Sequence, residues 1–459
     1  MLNSGDTAWV LASAALVMLM TPGLAFFYGG MVRSKSVLNM LMMNFIALAV
    51  VGVLWVLYGF SLAFGNDIGG GLLGGLDFAG MENTVGNLVG YAVAADPEAG
   101  VAEVAWPGNN AIPVLAFAMF QLMFAVITPA LISGAIADRV KFWTWTLFVA
   151  LWATIVYFPV AHWVFSFDGF VGADAVGGWI ANVSKLGALD FAGGTAVHIN
   201  AGAAGLALAI VLGKRRGWPR EPMRPHNLPF VLLGASLLWF GWFGFNAGSA
   251  LSAGDLAGVA FTNTMTATAA AVLGWLIVEQ FRDGKPTTLG AASGAVAGLV
   301  AITPACSAVN PVGAILVGAI AGVLCALAVS LKFKWGYDDS LDVVGVHLVG
   351  GVVGTLLIGF LATSAAPAGV DGLLYGGGVD QLWRQAVAAG SVLAFSFVLA
   401  YVIGTVIDRT IGFRLESESE VTGVDLATHA ESAYELGSFT GSGFHTGAGV
   451  GTTKEKVDA

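Results

Sequence analysis

The sequence predicts an all-α membrane protein of eleven transmembrane helices, arranged as an inverted 5+5 repeat plus one extra helix. Three observations carry this. The 459 residues are 57% hydrophobic and only 10% charged, against about 25% charged in a soluble domain. The apolar residues fall in continuous runs of roughly twenty, the length that crosses a bilayer as a helix, not in the alternating segments of a β-barrel. One motif, an aspartate eight residues ahead of a histidine, occurs twice, in the fifth and tenth runs.

The runs lie near 8–32, 38–64, 111–136, 142–166, 191–212, 228–248, 255–280, 287–303, 311–332, 341–364 and 382–407. No basic stretch precedes the first and no small-residue cleavage site follows it, so it reads as a retained helix and not a signal peptide. The 64 glycines suit helices that approach closely through small side chains. Residues 1–407 then form the transmembrane domain, with halves near 8–212 and 228–364 and the extra helix at 382–407. Residues 408–459 form a tail.

Basic residues orient the chain. Arg33 and Lys35 follow the first run, and Arg139 and Lys141 the third. Lys214, Arg215, Arg216, Arg220 and Arg224 follow the fifth, Arg282 and Lys285 the seventh, and Lys332 and Lys334 the ninth. Arg409, Arg414, Lys454 and Lys456 follow the eleventh. Of 19 Lys and Arg, only Lys185 and Arg384 fall on the other side. Positive charge marks the cytoplasmic face, so the N-terminus is expected outside and the C-terminus inside, in a multi-pass protein of the cell membrane. The 65–110 connection carries carboxylates and no Lys or Arg, as an outer loop should.

The two cysteines, Cys306 in an outer connection and Cys325 within the ninth run, read as packed small residues too far apart for a disulfide.

The repeat carries the chemistry. DFAGGTAVHINAGAAG at 190–205 and DSLDVVGVHLVGGVVG at 339–354 share Asp eight residues before His, and Gly four and seven residues after it. Five spans per half is odd, so the halves are inverted, and inverted repeats place the working site at their interface near the bilayer midplane. His198 lies seven residues into a span entered from outside, ~10 Å deep at 1.5 Å per residue. His347 lies six residues into one entered from inside, ~9 Å deep. In a core of about 30 Å the two rings approach each other. The alternative is two unrelated histidines, each bonded to a nearby carbonyl. Ionisable groups at this depth mark substrate or proton pathways. Without water an imidazole disfavours its charged form, and two adjacent rings can share one proton, one nitrogen donating and the other accepting. No HExxH, CxxC or carboxylate set accompanies them, so no metal is expected.

At these residues the chain resembles the Amt/Mep/Rh ammonium transporters, in their Amt branch. The resemblance runs through TPGLAFFYGG at 21–30, GALDFAGGTAVHINAG at 187–202, PHNLP at 225–229, GWFGFNAGSA at 241–250, TPAC at 303–306, DVVGVHLVGG at 342–351 and THAESAY at 428–434. It implies a homotrimer in the lipid bilayer, each subunit with its own narrow hydrophobic pore. His198 and His347 match the paired pore histidines. Phe124 and Phe245 match the stacked phenyl gate. Phe120 and Ser249 match the outer vestibule that attracts ammonium, and Trp242 matches a pore-lining tryptophan. Asp190 matches a family aspartate that supports transport; by position it caps the free backbone amides of its helix.

One departure stands out. The family's outer site includes a tryptophan in AHxxW, whereas 161–165 here reads AHWVF, with Phe165 in that place. Trp163 is two residues earlier and points about 160° away around a helix. Phenylalanine is the weaker cation–π face, by ~0.5–1 kcal/mol.

The resemblance therefore implies that NH₄⁺ is bound outside, deprotonated near the phenyl gate and moved past the histidines as NH₃; whether the proton follows is left open. An ammonium sensor of the same fold is the alternative, although no signalling domain is expected in the residues after the last run. A membrane hydrolase lacks a matched nucleophile. No cofactor and no nucleic-acid partner is expected. The resemblance further implies that GVDLATHAESAY at 423–434 is an ordered tail coupling neighbouring subunits, and that trimeric PII signal proteins plug the cytoplasmic exit. GSFTGSGFHTGAGVGTTKEK at 437–456 reads as a flexible end.

Overall fold

The computed structural model describes residues 2–89, 112–169, 176–182 and 185–434; the expected flexible end at 437–456 and residues 90–110 of the 65–110 connection lie outside them. Each apolar run is one helix: α1 Ser4–Met31, α2 Val37–Phe64, α3 Val114–Ile136, α4 Phe142–Phe165, α5 Gly194–Leu212, α6 Leu228–Ala250, α7 Asp255–Asp283, α8 Thr288–Ile302, α9 Pro311–Trp335, α10 Val344–Leu361 and α11 Asp380–Thr410. Side chains set several of the starts. Asn3 accepts from the Asp6 amide, Asn227 from Phe230, Thr287 from Gly290 and Asn310 from Gly313, each capping a free helix N-terminus. A two-stranded ribbon of β1 (Leu88–Val89) and β2 (Ile112–Pro113) brings the chain back into α3.

Ten of these helices are long and apolar enough to cross a membrane. α8 is not: it has 15 residues, short of the roughly 20 needed. Its residues from Ala292 to Ile302 are all buried. Protein surrounds its C-terminal end, so that end need not reach the bilayer surface.

Glycine decides how closely the helices pack. A Cβ on Gly318 or Gly322 of α9 would lie 2.0 or 2.2 Å from the carbonyl oxygens of Ala267 or Ala271 in α7. On Gly234 of α6 it would lie 2.2 Å from the Phe27 nitrogen in α1. Backbone-to-backbone contact of this kind drives association where lipid removes the hydrophobic effect.

After α11 the chain turns under the bundle. Arg414 pairs with Val140 in an isolated bridge, and two short helices follow, α12 Ser417–Thr422 and α13 Val424–His429. Asp425 of α13 accepts from the amides of Leu38 and Asn39 at 3.0 and 2.8 Å, capping α2. Burial pushes its carboxyl up, and those amides pull it back. His429 Nε2 lies 3.1 Å from Asn39 Oδ1, Tyr434 bonds His226 at 2.8 Å, and Lys35 donates to the Val421 carbonyl. Glu420, buried, pairs with Arg414 at 2.7 Å. The tail segment to residue 434 is thus tied to the ends of α2 and α3 and to the α5–α6 connection.

Candidate functional site

The two histidines sit on matching local structures. α5 opens with a π-helical turn, Gly194–Ile199, and α10 with another, Val344–Leu348. Such turns are rare and frequent at functional sites. In each, the residue three after the aspartate is left-handed: Gly193 at φ 109° and Asp342 at φ 64°. Glycine adopts this freely, and aspartate is among the few side chains that tolerate it.

Both aspartates cap. Asp190 accepts from the amides of Gly193, Gly194, Thr195 and Ala196 at 2.9, 2.6, 2.8 and 3.3 Å, and from the Thr195 hydroxyl. Asp339 accepts from Val343 and Val344 at 3.1 and 2.7 Å. Burial pushes the Asp339 carboxyl up to about 6, against the nearby Lys332 charge.

The two helices cross where the histidines are. A Cβ on Gly202, four residues past His198, would lie 2.5 Å from the Leu348 nitrogen. A Cβ on Gly351, four past His347, would lie 3.0 Å from the Gly194 carbonyl and 3.2 Å from His198 Cβ. The glycines of the motif let each helix touch the other's π turn. The imidazoles meet at Nδ1–Nδ1 3.3 Å, with centroids 5.4 Å apart and planes 20° from parallel. They are 1% and 2% exposed. In such a pair one Nδ1 donates and the other accepts, so a proton can pass between the rings. His198 Nε2 is buried and has no partner among the described residues.

Aromatic rings continue the line. Trp242 stacks on His198 with centroids 5.4 Å apart and planes 17° from parallel. Its indole nitrogen donates to Thr303 Oγ1 at 2.9 Å, and Thr303 lies 3.2 Å from Asn246 Oδ1. Phe245 is 6.0 Å from His198 and 4.2 Å from Phe124, the latter pair 32° from parallel. Phe120 places its edge against Phe124 at 5.0 Å and is fully buried, backing that ring. Beyond Phe124 opens a cavity of about 220 Å³, lined by Phe124, Phe165 and Ser249 among others. Phe165 stands edge-on to Phe124 at 6.2 Å. Ser249 donates to the Phe245 carbonyl at 2.8 Å. Trp163 turns away, donating to the Leu72 carbonyl at 2.8 Å.

All nine residues singled out from sequence thus gather between the cavity and the histidine pair: Asp190 lines the cavity while capping the turn that carries His198, and Phe120 backs Phe124. Three neighbours escaped that reading. Thr303 and Asn246 hold Trp242, and Gln121 lines the cavity. None carries charge, and only tertiary packing brings them to the site.

At the other end lies a smaller cavity of about 110 Å³, bordered by Arg33, Asp138, Arg215, Lys332 and Asp342. Arg215 grips Asp338 at 2.8 and 2.9 Å and reaches Asp138 at 3.4 Å. Arg33 meets Asp138 at 3.2 Å, and Lys332 meets Asp342 at 2.6 Å. Burial opposes the charge of Asp338, yet Arg215 and Arg139 hold its carboxyl below the usual range. Loop charges that mark orientation in the sequence are therefore also a buried ion-pair network.

Similar proteins share this arrangement of elements. The model of the Ammonium Transporter Family matches residues 8–434. The ammonium transporter of Mycobacterium tuberculosis is 63% identical over 446 residues, 96% of this chain and 92% of that protein. The crystal structure of Saccharomyces cerevisiae Mep2 superposes with a TM-score of 0.78 at 33% identity, covering 91% of this chain and 88% of its own. A sensor Amt protein superposes at 0.80 with 28% identity, covering 93% and 98%. With the family model spanning nearly all of the chain and a relative this similar along its length, the chain belongs to the ammonium transporter family.

Proposed function

We propose that this protein conducts ammonium across the cell membrane through a pore within each subunit. The observation that carries the reading is the direct His198–His347 contact, buried behind the Phe124–Phe245 stack. NH₄⁺ is drawn into the outer cavity by the ring faces of Phe124 and Phe165 and by Ser249. K⁺ resembles it in charge and size but cannot donate hydrogen bonds or release a proton. At the phenyl stack NH₄⁺ gives up its proton to water in the outer cavity, because a bare cation is costly in an apolar tube. NH₃ then passes Trp242 and the imidazole pair, which offers it hydrogen-bonding nitrogens and can relay the proton. Asp190 borders the cavity, but its carboxylate is committed to the backbone amides of the turn that aims His198, so its role is to support the pore.

The reciprocal contacts of the two π turns, with left-handed residues at matching offsets, support an inverted 5+5 repeat. The short α8 takes the eighth span and α11 stands outside the repeat. The basic loops support an N-terminus outside and the tail inside. A homotrimer follows the family. The second reading, an ammonium sensor with little transport, has the sensor Amt protein in its favour. Uptake by purified protein in liposomes separates the two: saturable ammonium uptake supports the transporter, and ammonium binding without uptake supports the sensor.

Phe165→Trp is expected to lower the half-saturation concentration for ammonium several-fold, about ~0.5–1 kcal/mol of cation–π attraction. An unchanged or higher value, at normal expression, would show that residue 165 does not face the ion.

The tail is read as the regulatory element. It caps α2 through Asp425 and reaches the α5–α6 connection through Tyr434, so it can couple the cytoplasmic mouth to what binds there. Deleting 421–459 is expected to lower uptake several-fold while the trimer survives on native gels. A cognate PII protein is expected to bind the inner face reversibly, according to its nucleotide state. Normal uptake by the truncated protein would remove the coupling, and absence of PII binding with ADP, ATP or 2-oxoglutarate would remove the plug.

A further inference from the structure

His162 is a buried titratable group that the proposed route leaves unused. It lies about one turn before Phe165 on α4 and is 0% exposed. Its Nδ1 faces the Ala63 carbonyl at 3.0 Å, at the end of α2, and its Nε2 faces Asp67 Oδ1 at 3.3 Å. The Asp67 side chain is itself 7% exposed. A carbonyl and a carboxylate only accept hydrogen bonds, and a neutral ring has one N–H to give. One of the two contacts would then set a bare nitrogen against an acceptor. With one more proton on the pair both become hydrogen bonds. Imidazole is the stronger base of the two, so that proton belongs on the ring, and the carboxylate beside it supplies the counter-charge a buried cation needs. The other charged group near the ring is Lys185 of the second outer loop, whose ammonium donates to the Gly177 carbonyl at 2.8 Å.

The ring stands where the wall of the outer cavity is fastened. Trp163, the next residue, donates to the Leu72 carbonyl, and its own carbonyl accepts from the Ile180 and Ala181 amides at 3.0 and 3.2 Å. The His162 carbonyl accepts from Ser166 at 3.3 Å, and a Cβ on Gly178 would lie 1.9 Å from it. The Asp67 amide donates to the Val176 carbonyl at 2.9 Å. Two outer loops thus meet α4 at His162 and Trp163. Val164, Phe165 and Ala181, beside that junction, line the cavity. We propose that His162 is a positioning residue for the outer cavity: doubly protonated and paired with Asp67, it ties both loops to the end of α4 and so sets where Phe165 stands. Loss of the proton at higher external pH leaves one of the two bonds and loosens the wall. The inference rests on reading this cavity as the place where ammonium enters.

Solid-state NMR of trimers with isotopically labelled histidine distinguishes doubly from singly protonated rings. At mildly acidic pH the wild type is expected to show one doubly protonated ring more than His162→Gln does, and to lose that signal as pH rises. Uptake in liposomes, with half-saturation expressed as NH₄⁺, gives the functional readout. From mildly acidic to mildly alkaline external pH the wild-type half-saturation is expected to rise about threefold, on the scale of one modest hydrogen bond, at nearly constant maximal rate. In Asp67→Asn the new amide can donate to Nε2 of a neutral ring whose Nδ1–H serves Ala63, so half-saturation should stay near the acidic wild-type value throughout. His162→Ala is expected to raise it roughly tenfold at every pH, the size of a lost hydrogen bond to a charged group, again with little change in maximal rate. If His162→Gln removes no doubly protonated ring, or if Asp67→Asn follows the wild-type pH profile, the assignment is wrong. Should His162→Ala not fold, the other two variants decide. If the wild type does not transport ammonium, the transport reading fails, while the NMR comparison still tests the pair.

Discussion

Replacing His198 or His347 with alanine is expected to lower ammonium uptake roughly tenfold or more, the scale of a lost proton-transfer group, while a folded trimer remains. Among the described residues, the hydrogen-bond and ring partners of the two imidazoles are each other, Trp242 and Phe245. Their removal leaves space, not an unpaired charge, so the fold should tolerate it better than the transport does. Each ring is half of one hydrogen-bonded unit, so the double variant is expected to lose little more than either single one. A larger pore also admits other ions, and discrimination against K⁺ should fall alongside the rate. Wild-type uptake and wild-type discrimination in both variants would remove the relay.

Asp190→Ala is expected to act through the fold. Four backbone amides lose their acceptor at once, in a turn that already relies on a left-handed glycine. A single lost cap costs about 1 kcal/mol, and buried amides left unpaired cost ~1–3 kcal/mol each. A combined loss of at least about 4 kcal/mol, four amides at the lower figure, should appear as a clear drop in melting temperature, with uptake falling because His198 loses its placement. Asp190→Asn retains an acceptor and is expected to recover part of both. An alanine variant with wild-type melting and abolished uptake would instead make Asp190 a group that meets the substrate or its proton.

Much of this was legible in the chain itself. Apolar runs mark the helices because lipid forces every backbone group into a helix. The Asp–His–Gly–Gly spacing marks the crossing because one glycine four residues past each histidine must touch the opposite turn. The run of α8, 287–303, was already the shortest of the eleven, but only its burial shows that protein stands where lipid would be. Nor did the spacing reveal that Asp342 takes the left-handed place of Gly193, since the two residues share a conformation and no chemistry. The ion pairs of Arg215 with Asp338 and Asp138 join loops far apart in sequence. Gln121 looked like an ordinary polar residue in an apolar helix until the cavity showed where it faces.

The central claim is a pore that takes ammonium and refuses a cation of the same charge and similar size. The most direct test is uptake of isotopically labelled ammonium by wild-type proteoliposomes, at mildly acidic external pH where NH₄⁺ predominates, in a large excess of K⁺. Saturable uptake well above that of protein-free liposomes, and unchanged by K⁺, is the predicted result. Uptake no greater than in protein-free liposomes, or uptake that K⁺ suppresses in proportion to its concentration, would contradict it.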